Sequence, residues 1–431
     1  MIPILIALLD CEVSPFPRTL YPEDSGLSIF FTQSGIEKWF RVLLNDGMLN
    51  ISGLKFPDIK TTLNLGVTKM DMMLTDIIVS EFSVEETGVM MKDDNVLPIV
   101  LFGARFVLRF NWRIQQQSYP YTKDGGTGQV IVSDTDFQTH CTIGCDFEVC
   151  PNHLVVDILH MELQIGVFKV VLDGGSSWLY QSMLDLIMGV LQLELEKLIS
   201  GFLSSTVVKL LNELLNKYVS YEPYRQFERL TKDERFVSQW VIRDGYMFAL
   251  LSGYVYHVND YSDEFVTRDK LGRVTYNRFN VESEITVSEA CFNNLYYVVH
   301  KYEDAYSCPG QFEVTAAPVI EFYSAAALLT LRLLVNDSAV NVQLKGEPKY
   351  AKVQAEKNNT AYYFQFEKYG VRSEDLTLDL DSLQQVVVDN INFVMKTYYY
   401  LQMNSYIYDT DRYSYSLDPL GKVLRVFQPY E

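Results

Sequence analysis

The sequence predicts an α+β protein of two halves, each with a strongly twisted antiparallel sheet followed by a long apolar helix. Residues 106–114 alternate apolar and polar side chains, and this period of two is typical of a strand with one buried face. Residues 178–219 repeat apolar side chains every three or four positions, which places them on one face of a helix. The same succession of strand patterns and an apolar helix returns between residues 235 and 403.

The first predicted elements are a short strand and a short helix. Residues 26–32 favour a strand, and residues 33–47 favour a helix that ends at Gly47, a residue suited to the left-handed position after a helix. Ser34 and Glu37 have the spacing of a capping box, so we expect the helix to start there. One apolar face of this helix contains Ile36, Trp39, Phe40, Leu43 and Leu44.

Strand patterns dominate the next segment, up to residue 172. We expect strands at 61–68, 76–84, 106–114, 128–134 and 153–172, with a hairpin turn at the glycine-rich residues 123–128. The long helix of residues 178–219 follows and, if unbroken, spans roughly 60 Å. Its apolar stripe includes Leu184, Leu191, Leu195, Leu198 and Phe202.

The second half is again rich in strands. We expect strands at 241–257, 274–287, 312–322, 326–335, 339–344, 361–366 and 422–427, and helices at 288–302 and 382–403. The patterns divide the chain into a leader segment (1–22), a first domain (23–219), a polar linker (220–234) and a second domain (235–431).

Charge and the N-terminal residues limit the partners and the compartment. The 431 residues carry a formal net charge of −19, which argues against nucleic acid and against tight electrostatic docking on anionic membranes. Residues 1–9 are apolar but lack a basic flank and a small-residue cleavage site, so we interpret them as an atypical or truncated signal, with a first strand or an apolar plug as the alternative. N-glycosylation sequons at Asn50, Asn336 and Asn358 favour the secretory pathway lumen or the cell exterior.

The cysteines are too few for a disulfide scaffold, since there are six in the whole chain. Cys141, Cys145 and Cys150 lie close together, and we expect one local disulfide among them or free thiols. Cys291, in a predicted helix, and Cys308, just beyond it, are candidates for a second disulfide.

The sequence contains little that indicates catalysis. Neither a nucleophile elbow, a zincin motif, a phosphate-binding loop nor a dinucleotide fingerprint occurs in it. His140, His153 and His160, with the neighbouring cysteines, offer zinc ligand types, but their spacing is not a common zinc signature. We therefore predict a protein that is not an enzyme and has no metal site and no cofactor.

The apolar face of the long helix has to be buried, and three arrangements would do this. It can pack on a sheet as solid core, line a tunnel that holds an apolar ligand, or face a membrane. Periodicity alone favours a solid core, although a short helix, a curved sheet and a long helix can also enclose an elongated space.

Short motifs along the chain resemble a known family. The matching segments are residues 26–36 (GLSIFFTQSGI), similar to an opening strand and first helix with "ItqkGl"; 54–59 (LKFPDI), similar to "ikIPD"; 106–114; 141–158; 235–258; and 361–408. In this order they resemble the bactericidal/permeability-increasing protein family (BPI), with lipopolysaccharide-binding protein (LBP) and the phospholipid and cholesteryl-ester transfer proteins. The resemblance covers most of the chain from about residue 23.

The resemblance implies a boomerang of two barrel-like domains joined through a central sheet. It also implies one elongated apolar pocket per domain, each holding the acyl chains of a phospholipid. Matched by position, the first pocket would be lined by Ile36, Trp39, Phe40, Leu43, Leu184, Leu191, Leu195, Leu198 and Phe202.

Two departures from the family pattern shape the predicted function. In the family, a disulfide joins the cysteine-bearing strand to the long helix, but the long helix of this chain has no cysteine, so that bond cannot form. The family members that bind lipopolysaccharide have a basic N-terminal tip, whereas this chain is strongly acidic. We predict binding or transfer of a neutral or zwitterionic phospholipid, with transient membrane contact. The alternatives are a protein-interaction module with solid cores and a lipid hydrolase without a recognised motif.

Overall fold

The structure, a computed structural model, consists mostly of sheet with helices packed against it. It describes residues 25–45, 51–64, 69–92, 95–119, 121–146, 150–175, 192–193, 196–201, 205, 208–209, 212, 229–233, 235–260, 281–323, 326–352, 359–374, 377–397, 401–404, 414–418 and 422–429. The predicted leader, most of the predicted linker and most of the long helix lie outside these ranges. Within them, no helix is long and apolar enough to cross a bilayer.

The elements of the first half are β1 (Leu27–Thr32), α1 (Gln33–Asn45), β2 (Ile59–Asn64), β3 (Lys69–Ser83), β4 (Glu86–Val89), β5 (Leu97–Gln116), β6 (Lys123–Asp146), β7 (Cys150–Gln164) and β8 (Val167–Asp173). Those of the second half are β9 (Leu230–Lys232), β10 (Val241–Arg243), β11 (Tyr246–Leu251), β12 (Val255–His257), β13 (Val281–Ser288), α2 (Glu289–Glu303), β14 (Glu313–Phe322), β15 (Ala327–Val335), β16 (Ser338–Lys352), β17 (Asn359–Ser373), α3 (Leu380–Thr397), β18 (Leu401–Asn404), β19 (Ser414–Asp418) and β20 (Val423–Pro429).

A seven-stranded antiparallel sheet forms most of the first half. Its order is β2-β3-β5-β6-β7, with β4 paired to β5 and β8 paired to β6. The predicted alternation in β5 is confirmed, because Phe106, Leu108, Phe110, Trp112 and Ile114 are all buried. One face of this sheet is therefore apolar and inward, and the other faces solvent.

The glycines of residues 123–128 lie inside a strand, so the predicted hairpin turn there is wrong. The turn precedes them, at residues 117–122. A Cβ on Gly126 would lie 2.0 Å from the carbonyl oxygen of Asp173 and 3.0 Å from Nε1 of Trp112. Glycine is needed at this position because β8 and the Trp112 indole approach the β6 backbone so closely.

A six-stranded sheet joins the beginning of the chain to its end. Its order is β10-β11-β1-β13-β20-β19, so that β1 pairs with β11 and β13 of the second half. Arg425 in β20 bridges Glu284 of β13, at 2.8 Å, and Asp418 of β19, at 2.9 Å. The first strand thus folds against strands more than 200 residues later in sequence.

The second half also has a five-stranded sheet, in the order β14-β15-β16-β17-β18, and a two-stranded sheet of β9 and β12. Helix α2 lies against β14 and α3 against β17. Ser288 caps α2, since its side chain accepts a hydrogen bond from the backbone N–H of Cys291. The predicted helix at 288–302 is confirmed to within one residue at each end.

The sheets are open within the described ranges, so the expectation of barrel-like closure is corrected. Helix side chains, rather than further strands, bond the edge strands. Asn212 accepts from the N–H of Val156 in β7 at 2.7 Å and donates to its carbonyl oxygen at 3.2 Å. Asn293 of α2 makes the same pair of bonds to Ile320 in β14. These bonds satisfy edge groups that strand pairing leaves free.

Candidate functional site

The start of α1 is fixed by Thr32 at the end of β1. The N–H of Gly35 donates to Oγ1 of Thr32 at 3.4 Å, and the same oxygen lies 3.1 Å from the carbonyl oxygen of Glu282 in β13. The expected capping box at Ser34 is therefore wrong, because the helix begins at Gln33 and Ser34 lies inside it. The cap comes two residues earlier, where the strand already holds Thr32 against β13.

Helix α1 is held between β13 and β4. A Cβ on Gly35 would lie 2.0 Å from the carbonyl oxygen of Glu282, so glycine allows the helix to touch β13. Lys38 pairs with the Glu282 carboxylate at 2.9 Å. On the other side, Oε1 of Glu37 accepts a hydrogen bond from the N–H of Val89 at 3.0 Å. These contacts turn the apolar face of α1 towards the inner face of the first-half sheet.

That face and the sheet belong to one continuous apolar cluster that also extends into the second half, and its first-half part is here called the inner cluster. Ile36 and Phe40 are buried in it, and the partly buried Trp39 packs against it with its ring centroid 5.2 Å from that of Phe40. The sheet contributes Met70, Met72, Leu74, Leu108, Phe110, Trp112, Val130, Val132, Val170 and Leu172.

The long helix also contributes to the inner cluster where the structure describes it. Residues 192–193, 196–201, 208–209 and 212 are helical, as predicted for this segment. Ile199 is buried and Leu198 is partly buried against the cluster. The two bonds from Asn212 to Val156 hold this helix against the edge strand β7.

Four of the nine predicted lining residues are thus brought together: Ile36, Trp39, Phe40 and Leu198. The backbone of Leu43 lies in α1, but its side chain is outside the described part, as are Leu184, Leu191, Leu195 and Phe202. A lipid-lining role for all nine stays a prediction. Sequence reasoning missed Met70 and Met72, although the pattern of residues 70–74 (MDMML) places both on the face of Leu74.

Cys141 lies buried on β6 as a free thiol. Its Sγ donates to the carbonyl oxygen of Leu97 at 3.3 Å, and burial raises its pKa to about 12. The side chains of Cys145 and Cys150 are outside the described part, so a disulfide between them stays a prediction.

The candidate disulfide between Cys291 and Cys308 is wrong, because both are free thiols in the structure. Cys291 lies in the first turn of α2, and Cys308 follows the other end of this 15-residue helix. Such a helix is about 22 Å long, far more than the spacing that a disulfide can bridge.

The described residues hold no group of three or more His, Cys, Asp or Glu that could bind a metal ion. His160 pairs with Glu162 at 3.0 Å. His257 accepts a hydrogen bond from the N–H of Asn259 at 3.3 Å.

A separate recess of about 730 Å³ lies on the solvent face of the first-half sheet. Side chains from β3, β5, β6 and β8 line it, among them the polar Arg109, Asn111, Gln129 and Asp173. These side chains alternate with the buried row of β5 and point the opposite way. The recess therefore opens on the face opposite to the inner cluster, although Phe110 and Leu172 of that cluster also border it.

The fold of the chain is similar to that of a BPI/LBP protein. It superimposes on the crystal structure of lipopolysaccharide binding protein with a TM-score of 0.56, at 12% sequence identity, over 94% of this chain and 98% of the other. P47 of Clostridium botulinum E1 gives a TM-score of 0.27, at 10% identity, over 94% of this chain and 98% of that one.

The sequence comparison agrees with the fold. A protein of Arabidopsis thaliana that carries the BPI/LBP family name is 21% identical over 171 residues, or 39% of this chain. The match spans about a third of that relative, 34% of its length. No protein-family model matches the chain. The predicted resemblance is confirmed: the chain resembles the BPI/LBP proteins in its fold and, over 171 residues, in its sequence.

Proposed function

We propose that the chain binds lipid, with the acyl chains among the apolar side chains of the inner cluster between α1, the long helix and the first-half sheet. The observation that supports this proposal is that the inner cluster is continuous from α1 across β3, β5, β6 and β8, in a chain whose fold is similar to that of LBP. Transfer of an acyl chain from water to such surroundings is favourable by about 0.8 kcal/mol per CH₂ group.

The lining is suited to a flexible apolar ligand. Met70, Met72 and Met91 belong to the inner cluster, and a thioether on an unbranched chain adapts to irregular shapes. No proton transfer and no covalent step is needed, so the proposed activity is binding or transfer without catalysis.

A finer version of the proposal names the lipid and the setting. The net charge of −19 favours a neutral or zwitterionic phospholipid over an anionic one. The proposal also includes a boomerang of two domains, the first ending at residue 219 and the second beginning at residue 235. It further includes a secreted or lumenal location. Asn336 is an exposed residue in the turn between β15 and β16, which makes its sequon accessible.

Transient membrane contact is also part of the proposal, and the turn between β5 and β6 supports it. Tyr119 and Tyr121 are 85% and 61% exposed there, with their ring centroids 6.4 Å apart. Tyrosine combines an apolar ring with a polar hydroxyl, and for this reason it is enriched where proteins meet the bilayer surface.

Native mass spectrometry and lipid extraction of the secreted full chain test the proposal. We expect co-purified phospholipid in stoichiometric amount and its exchange with phosphatidylcholine vesicles. Val132→Phe should reduce the amount by filling the inner cluster, whereas Ile131→Phe, on the other face of the same strand, should leave it unchanged. A folded chain without lipid and without uptake would favour the interaction module instead, and fatty acid release would favour the hydrolase.

A further inference from the structure

The interior of the second half is occupied by aromatic rings in mutual contact. Phe292 of α2 contacts rings of β14 and β17, with its centroid 5.7 Å from that of Phe322 and 5.2 Å from that of Phe364. The rings of Phe322 and Phe364 are themselves 5.6 Å apart. All three are buried, and such separations are those of directly packed rings.

The ring packing continues along α2. Tyr296 lies 6.5 Å from Phe292 and 6.4 Å from Tyr306, centroid to centroid, and burial raises its pKa. Phe366 extends the row on β17, 6.1 Å from Phe364. A row of rings in mutual contact therefore packs between α2 and the sheet.

Both second-half helices are also bonded to the sheet. Asn293 joins α2 to Ile320 of β14 through bonds of 2.8 and 3.0 Å. Asn392 joins α3 to Phe366 of β17 through bonds of 2.6 and 2.8 Å.

A further bond connects α3 to the segment that follows α2. Asn390 of α3 donates to the carbonyl oxygen of Tyr306, just beyond α2, at 2.8 Å. Separation of the helices from the sheet to admit a ligand would break these bonds as well as the ring contacts.

We propose that the protein carries lipid in its first half only, and that the second half is a packed body without cargo. This inference rests on the proposed function and restricts it. In the second half, Phe292, Phe322 and Phe364 are in mutual contact between α2 and the sheet, and asparagine side chains bond both helices to that sheet. In the first half, the inner cluster contains Met70, Met72 and Met91, whose flexible thioether chains adapt to a ligand. The consequence is one bound phospholipid per chain instead of two.

Two measurements on the full-length wild-type chain test the inference. Native mass spectrometry should show one phospholipid per chain, and two would overturn the inference. A chain that binds none would overturn the proposed function itself, and with it this restriction. Vesicles of phosphatidylcholine with a diazirine on one acyl chain then locate the cargo after exchange. Cross-linked peptides should fall within residues 33–219, which contain α1, the first-half sheet and the predicted long helix, and cross-links within 289–397 would overturn the inference.

Removal of the central ring gives a matched test. Phe292→Ala should open space in the second half and produce new cross-links within residues 289–397, whereas Phe393→Ala, at an exposed position of α3, should not. Phe292→Leu, a smaller loss of volume, replaces the alanine variant if that variant does not fold. An unchanged cross-linking pattern in a folded Phe292 variant would contradict the role of the ring.

Discussion

Three asparagines carried on helices bond the edges of the sheets. Asn212, Asn293 and Asn392 each accept from the N–H and donate to the carbonyl oxygen of a single strand residue. An amide side chain is suited to this because it presents one acceptor and one donor side by side. Each helix is thereby fixed in register against its sheet by a polar contact, in addition to apolar packing.

The first prediction concerns Asn392. Asn392→Leu removes both bonds and leaves the backbone N–H and C=O of the buried Phe366 unpaired, at a cost of about 1–3 kcal/mol for each group. We expect the free energy of unfolding, measured in urea, to fall by roughly 2–4 kcal/mol. Asn341→Leu, at an exposed position of β16, is the control. Equal effects of the two substitutions would show that the bonds to Phe366 contribute nothing.

The second prediction concerns the buried thiol of Cys141. Its pKa is raised from 9.0 to about 12, so at pH 8 it should resist alkylation while the partly exposed Cys308 reacts, as measured by mass spectrometry of the two peptides. The raised pKa also stabilises the folded chain below pH 9, and this contribution is lost between pH 9 and about pH 12, because only the unfolded chain ionises there. Cys141→Ala should flatten that part of the stability profile. A profile unchanged by the substitution would contradict the assignment to Cys141.

At the scale of elements, the sequence predicted best where one periodicity extends over a whole element. Helices α1 and α2 and the buried row of β5 were recognised because their apolar residues keep one period throughout. The start of β3 was missed because residues 69–73 lack β-branched side chains. The glycines of β6 were mistaken for a turn because their cause, the approach of β8 and Trp112, lies far away in sequence.

The third prediction belongs to the turn between β5 and β6. Substitution of Tyr119 and Tyr121 by Ser removes both exposed rings, so the double variant should bind phosphatidylcholine vesicles several-fold more weakly in co-sedimentation. Tyr369→Ser, which removes a 63% exposed ring from the second half, is the control. Vesicle binding that responds equally to both changes would place the membrane contact elsewhere.

At the scale of the whole molecule, the sequence indicated the apolar lining better than the way in which the halves are joined. Ile36, Phe40 and Leu108 were assigned to buried faces from their spacing alone. The pairing of β1 with β11 and β13 was not derivable from spacing, because strand partners so distant in sequence are selected by tertiary packing. The ring cluster around Phe292 was missed for the same reason, since its members come from three separate elements.

The fourth prediction follows from having cargo in one half only. A ligand that binds the folded state alone stabilises it by RT ln(1 + [L]/Kd), or about 2.7 kcal/mol at a hundred times Kd. Removal of the lipid should therefore lower the melting temperature and speed hydrogen exchange in β5 and β6, which contain half of the sheet residues named in the inner cluster. Strands β15 to β17 should keep their exchange rates, because ring packing and the bonds of Asn293 and Asn392 hold that half together without ligand. Faster exchange in both halves after lipid removal would mean that cargo supports the second half as well.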